Sequence, residues 1–231
     1  MFHCEPHSVR THDLLEIDAN QFIAAQAAGP KWVEESLRRS PFVVVRRGRV
    51  TDQEIPVGVR GAERNQRWAT FCHPKLVRSI LTPPQLLAGN IPIARAKAIP
   101  ALRAFNLLKD RWLRLGRPWG PGGSVGFELA TGNLVANEQS DLDIVIYADT
   151  RMTVDEAKSL WAHTMDLSAV ADIRVETPVC CFSLTEYARA GFTEILLRTP
   201  EGHVLLGRDP WDEELKTRDA GQSVAKEFSA R

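Results

Sequence analysis

Short apolar runs broken by turn residues dominate the first part of the chain. Pro41-Phe-Val-Val-Val-Arg-Arg47 and Ile55-Pro-Val-Gly-Val-Arg60 are rich in β-branched residues and are parted by Gly48 and Asp52, so residues 13–70 read as strand-rich. Pro30 to Ser40 predicts a short helix, with Pro30 near its first turn. Lys75 to Leu81 and Pro84 to Ala88 predict two more short helices, separated at Pro83-Pro84. The stretch Gly89-Asn-Ile-Pro92 predicts a domain boundary. From Ala94 to Leu115 the apolar residues Ile99, Leu102, Phe105, Leu108, Trp112 and Leu115 recur every three or four positions, the period of a helix. Pro100 should divide or offset its start.

Beyond it, helical and strand patterns alternate. Gly116-Arg-Pro-Trp-Gly-Pro-Gly-Gly123 ends the long helix, and Ser124 to Thr131 forms a short one closed by Gly132. A strand starting at Asp141, a helix around Val154–Ser168 and the strand Asp172-Ile-Arg-Val-Glu176 follow. Thr193–Leu197 and His203–Leu206 flank Pro200-Glu-Gly202 as a hairpin, and the polar last twenty residues should be partly loose. The expected class is α+β. A small strand-rich N-terminal domain would occupy residues 1–90, and a mixed-sheet domain residues 91–231.

A length of 231 residues fits one large or two small domains, and a formal net charge of zero removes whole-molecule attraction to nucleic acid or anionic lipid. Neither is therefore expected as a partner. No apolar run approaches the roughly 20 residues of a membrane span. The start Met1-Phe-His-Cys-Glu-Pro lacks a signal-peptide pattern, so a cytoplasmic location is expected. Cys4, Cys72, Cys180 and Cys181 show no C-x-x-C spacing, so they read as buried small residues and zinc is not expected.

The chemistry centres on Ser140-Asp-Leu-Asp-Ile-Val-Ile-Tyr147. On a strand, Asp141 and Asp143 share one face while Leu142 and Ile144 turn to the core. Two carboxylates so close repel each other unless a proton or a metal lies between them. Mg²⁺ takes hard oxygen ligands, usually one or two carboxylates plus substrate phosphates, and paired ions clamp both oxygens of a phosphoryl displacement. Upstream, Gly122-Gly123-Ser124 offers backbone N–H groups and a helix start to a phosphate, with Ser124 as hydroxyl donor, helix N-cap, or both. Asp172, Arg174 and Glu176 alternate along one strand face, so Asp172 or, in its stead, Glu176 would supply a third carboxylate. The alternative is a cross-face salt network. Eight arginines against three acids between Arg38 and Arg67, with Arg60 and Arg64 flanking Gly61, suit an anionic partner or polyphosphate, or else form a solvated face. His12-Asp13 reads as structural, because adjacent residues rarely point at each other.

Taken together, Gly123-Ser124-Val-Gly-Phe-Glu-Leu-Ala-Thr-Gly132, Ser140-Asp-Leu-Asp143 and Asp172-Ile-Arg-Val-Glu-Thr-Pro178 resemble the phosphoribosyl-dephospho-CoA transferases of malonate decarboxylase, also called holo-acyl-carrier-protein synthases. His12-Asp-Leu-Leu15, Val57-Gly-Val-Arg-Gly61 and Gln66-Arg67 extend the resemblance through the first half. The second-half motif is similar to that of polymerase-β-like nucleotidyltransferases, with a longer spacing from Ser124 to Asp141. The resemblance implies a nucleotidyltransferase-like C-terminal domain. It implies transfer of a phosphoribosyl-dephospho-CoA group from its triphosphate precursor to a serine of the apo acyl carrier subunit, with release of diphosphate. Asp141 and Asp143 would then hold Mg²⁺, Asp172 would complete the metal site or take the serine proton, and Gly123 and Ser124 would bind the leaving group. On charge alone, apart from the resemblance, Arg60, Arg64 and the other N-terminal arginines would meet the carrier or the CoA portion. Two other readings stay open: nucleotidyl transfer to a small-molecule hydroxyl, and a non-catalytic carrier-binding module.

Overall fold

Alternation along one antiparallel sheet organises the N-terminal half. The computed structural model describes residues 4–26, 29–63, 65–190 and 193–216. In it β1 (Leu14–Ile17) leads to α1 (Ala19–Ala25), α2 (Trp32–Arg39), β2 (Phe42–Val45), β3 (Ile55–Arg60), β4 (Arg67–Cys72) and β5 (Val77–Leu81). The strands pair in the order β4-β3-β2-β1-β5, antiparallel throughout. Leu15, Val43, Val45, Val57 and Val59 share the face that packs under Phe22 of α1 and Leu37 of α2. The opposite face turns toward the second half of the chain, where Leu14 packs with Leu86 and Phe127.

Two of the expected short helices differ. Lys75–Leu81 is a single 3₁₀ turn, Pro74–Leu76, followed by β5. The reason is a bulge in β5, where Arg78 is the extra residue opposite the Glu16–Ile17 step of β1, so that Ile80 stands opposite Leu15 and Val77 opposite Ile17. Two core residues three apart, a helical spacing, thereby reach the same sheet face. Pro84–Ala88 belongs to a 3₁₀ segment, Pro83–Ala88, started by a bond from Thr82 N to Gln85 Oε1 of 2.8 Å.

Pro100 divides the long helical pattern into α3 (Ile93–Ala98) and α4 (Pro100–Arg111), with Pro100 at the first position of α4. There follow β6 (Trp119–Pro121), α5 (Gly123–Thr131), β7 (Leu142–Tyr147), α6 (Val154–Ala162), β8 (Ala171–Glu176), β9 (Cys181–Ser183), α7 (Leu184–Ala190) and the hairpin β10 (Ile195–Arg198) and β11 (Val204–Gly207). The six-stranded sheet runs β11-β10-β9-β8-β7-β6, and β7 and β8 form its one parallel pair among the described residues. The α6 crossover makes that pair parallel. Leu102, Phe105 and Leu108 of α4 bury against Leu142, Ile144 and Ile146 of β7, each such side chain contributing about 1.5–3 kcal/mol. The helix expected to reach Ser168 ends at Ala162. Most of the last twenty residues lie outside the described residues. The architecture is α+β, with two sheets joined through the Thr82–Ala88 segment. Among the described residues no helix is long and apolar enough to cross a membrane.

Candidate active site

The parallel pairing of β7 and β8 decides where the acids meet. Asp143 and Asp172 are direct register partners, so their side chains leave one face of adjacent strands, about 4.8 Å apart at the backbone. Leu142 and Ile144 turn to the core on the other face, 0% and 1% exposed. Asp141 lies just ahead of β7 and is exposed, so the strand carries one member of the acid pair and the preceding residue the other. Burial raises the Asp143 carboxyl above the ordinary carboxylate range, and the charges of Asp172 and Asp141 raise it further. His12 and Arg60 pull in the opposite direction. The three acids therefore share one electrostatic field.

The glycine turn presses against that carboxylate. Gly122 caps α5, and its N–H donates to the Asp143 carbonyl at 2.9 Å. Gly123 has φ +53°, and a Cβ there would come 1.7 Å from Asp143 Oδ2. No larger residue fits this approach. Ser124, at the second helical position, is 6% exposed and lies outside the cavity lining, so Gly122 replaces it as the cap. The backbone turn at Gly122 and Gly123 faces the acids.

A cavity of about 550 Å³ opens between the two sheets, with Gly123, Asp143 and Asp172 on one wall and Arg46, Arg60 and Arg67 on the other. Arg60 and Arg67 are direct partners across β3 and β4. Burial, then the neighbouring Arg67, depresses Arg60 to about 10, while Asp143 works against the shift. On the acid wall, Arg174 Nη2 donates to Asp172 Oδ2 at 2.8 Å. Arg64 lies outside the described residues.

Glu176 occupies a different place from Asp172, farther along β8 opposite Tyr147. It accepts from Arg47 Nη1 at 3.1 Å and stands 3.1 Å from His12 Nε2. The third-carboxylate role that the sequence left open between Asp172 and Glu176 thus meets a sheet that puts Asp172 in the cavity and Glu176 in an ion-paired seam between the halves. His12 and Asp13 part company as well. His12, at φ +80°, lines the cavity beside Glu176. Asp13 is 2% exposed, accepts from Arg10 N at 2.8 Å and is pushed up to about 6 by burial. Sequence reading missed His12, Arg46 and Arg67 as cavity residues. For the two arginines the one signal was the charge bias, because the register that gathers them is not local.

Among the described residues no group of three or more His, Cys, Asp or Glu side chains is drawn together tightly enough to cage a metal. Mg²⁺ does not require such a cage, since substrate phosphates and water complete its octahedron. A buried carboxylate crowded by two like charges fits a cation of that kind. Hard oxygen donors facing guanidiniums across a cleft suit a phosphate-bearing, nucleotide-like molecule.

The fold and the cleft thus describe a two-sheet α+β protein whose cleft suits a phosphate-bearing ligand. A family model described as the phosphoribosyl-dephospho-CoA transferase MdcG C-terminal domain matches residues 87–209, and its N-terminal counterpart matches residues 10–83. The phosphoribosyl-dephospho-CoA transferase of Pseudomonas fluorescens (strain Pf0-1) is 32% identical over 87% of this chain and 94% of its own. That of Azotobacter vinelandii is 35% identical over 81% of this chain and 88% of its own. That of Klebsiella pneumoniae (strain 342) is 34% identical over 89% and 97%. No solved structure gives a significant match. The chain belongs to the phosphoribosyl-dephospho-CoA transferase family.

Proposed function

We propose that this protein transfers the 2′-(5″-phosphoribosyl)-3′-dephospho-CoA group from its 5″-triphosphate precursor to a serine of the apo acyl carrier subunit of malonate decarboxylase. The serine oxygen attacks the α-phosphorus, the bond to the β-phosphate breaks and diphosphate leaves. Family membership supports the substrate class. The observation that carries the chemistry is the in-register pair Asp143 and Asp172 facing the arginines of the N-terminal sheet across one cavity.

Asp141 and Asp143, with Asp172, are the residues that would hold Mg²⁺, whose charge neutralises phosphate oxygens when bound. Asp172 would either complete that metal site or take the serine proton, and the bond from Arg174 orients its carboxylate. The backbone of Gly123 and Ser124 at the start of α5 would orient a phosphate beside Asp143. Arg60 neutralises charge on the opposite side. Incubation of the enzyme with apo-carrier, precursor and Mg²⁺, read by intact mass, should add the prosthetic group to the carrier. ATP in place of the precursor should not support transfer. An unchanged carrier mass overturns the proposal.

A further inference from the structure

The cavity-facing side of the N-terminal sheet is built in rows. Leu14, Val44, Gly58 and Ala69 are successive register partners across β1, β2, β3 and β4, and they form a small, uncharged strip. Arg60 and Arg67 stand side by side in the next row of β3 and β4. On the other side of the strip, Arg46 follows β2 and lies over Gly58, where a Cβ would meet Arg46 Cδ at 3.0 Å. Guanidiniums thus border both sides of an uncharged floor.

Like charges directly opposite in an antiparallel pair disfavour the sheet. Here that opposition occurs on the cavity wall that faces Asp143 and Asp172. Arg60 feels the Asp143 charge across the cavity that both side chains line. Planar guanidinium forks match the oxygens of phosphates, and two forks side by side match adjacent phosphates of a chain.

We infer that Arg60 and Arg67, with Arg46 across Gly58, form a polyphosphate seat that the N-terminal sheet contributes to the site. The triphosphate would lie with its outer phosphates on the arginines and its α-phosphate toward Asp143. This rests on the proposed function for the identity of the substrate, but the seat itself is a claim about anion binding. It gives the N-terminal half a part in the chemistry beyond support.

Titration calorimetry of the full chain with inorganic tripolyphosphate, in metal-free buffer, tests it. Wild type should bind, and binding should weaken as salt rises. Arg60→Gln and Arg67→Gln should each weaken it at least about tenfold, and the Lys variants should recover part of the loss. Asp143→Asn should bind more tightly, because a facing negative charge is gone. Arginine-selective dicarbonyl labelling of wild type needs no variant: tripolyphosphate should protect Arg60 and Arg67. No binding by wild type, folded Gln variants within twofold of wild type, or labelling without protection overturns the seat. Transfer to the carrier is read separately by mass. Anion binding without transfer would reject the proposed function and leave the seat standing; transfer undiminished by both Gln substitutions would do the reverse.

Discussion

Glu176→Gln removes one charge from the seam between the two sheets while keeping the size of the side chain. The Glu176 carboxylate accepts hydrogen bonds from Arg47 through Nη1 at 3.1 Å and also through Nη2, and it meets His12 Nε2 at 3.1 Å. Glu176 and Arg47 are 14% and 16% exposed, so solvent screens them little. Burial by itself raises the Glu176 carboxyl, but the bonds from His12 and Arg47 outweigh it and hold the group at about 2, against an ordinary 4.5. At 1.36 kcal/mol for each tenfold change in proton affinity, that difference corresponds to ~3 kcal/mol of stability at pH 7. Gln also leaves the Arg47 guanidinium buried without its counter-charge, which acts in the same direction. For a chain of this size ~3 kcal/mol lowers Tm by roughly 6–12 °C.

The sign with pH is fixed by the direction of the shift. A carboxyl depressed in the fold contributes in full above its unfolded value of 4.5, and the contribution fades as pH falls from there toward about 2. Thermal and urea unfolding of wild type and Glu176→Gln at pH 7, and again near the folded-state value, measures both arms. The variant should be less stable at pH 7, and the gap should narrow steadily below the unfolded value. A gap under about 0.5 kcal/mol at pH 7, the range of ordinary surface changes, would refute the reasoning. So would a gap that persists undiminished in acid.

Asp143→Asn should lower transfer at least about 100-fold, as expected when a group aimed at developing phosphate charge is lost, while raising Tm. The rise follows because a carboxyl raised in the fold loses stability as pH climbs through its unfolded value, and Asn has nothing to ionise. Asp141→Asn should also lower transfer at least about 100-fold, and circular dichroism should show both folds intact. Mg²⁺ should raise the Tm of wild type more than that of Asp143→Asn, which differential scanning fluorimetry reads directly. Gly123→Ala should cost at least about 1 kcal/mol and most of the activity, since the new Cβ meets Asp143 in a left-handed turn. Glu128→Ala should cost about 3 kcal/mol in urea unfolding, because it takes the carboxylate from the half-buried Arg95 and strands the N–H groups of Val135 and Ala136.

Legibility in the sequence followed locality. The β-branched runs of β2, β3, β7 and β8 announced themselves because each is buried on at least one face. Strand β4 escaped notice because it is an edge strand with Arg67, Ala69 and Phe71 exposed, and its register, not its apolarity, gives it a place. Strand β6 is Trp-Gly-Pro, which reads as punctuation until β7 pairs with it. β5 imitated a helix because the extra residue Arg78 puts Val77 and Ile80 on one face, and a bulge shows only in the register with β1. The acid wall was visible for the same reason β7 was: Asp141, Asp143 and the glycine turn are close in sequence. The basic wall was visible as a charge bias and nothing more.

That asymmetry bears on how the cleft works. A chain with zero net charge carries an acid wall on one sheet and a basic wall on the other, each crowded by like charges. Separately, neither wall is a favourable arrangement. They are held facing each other by the Leu14–Leu86–Phe127 packing between the halves and, outside the cleft, by the Glu176–Arg47 pair. The crowding of like charges is therefore sustained by these contacts, and a ligand carrying metal on one side and phosphates on the other would relieve both walls at once. Because attraction arises within the cleft and not from the molecule's overall field, raising salt should weaken binding of the phosphate chain while leaving long-range encounter with the substrate little changed.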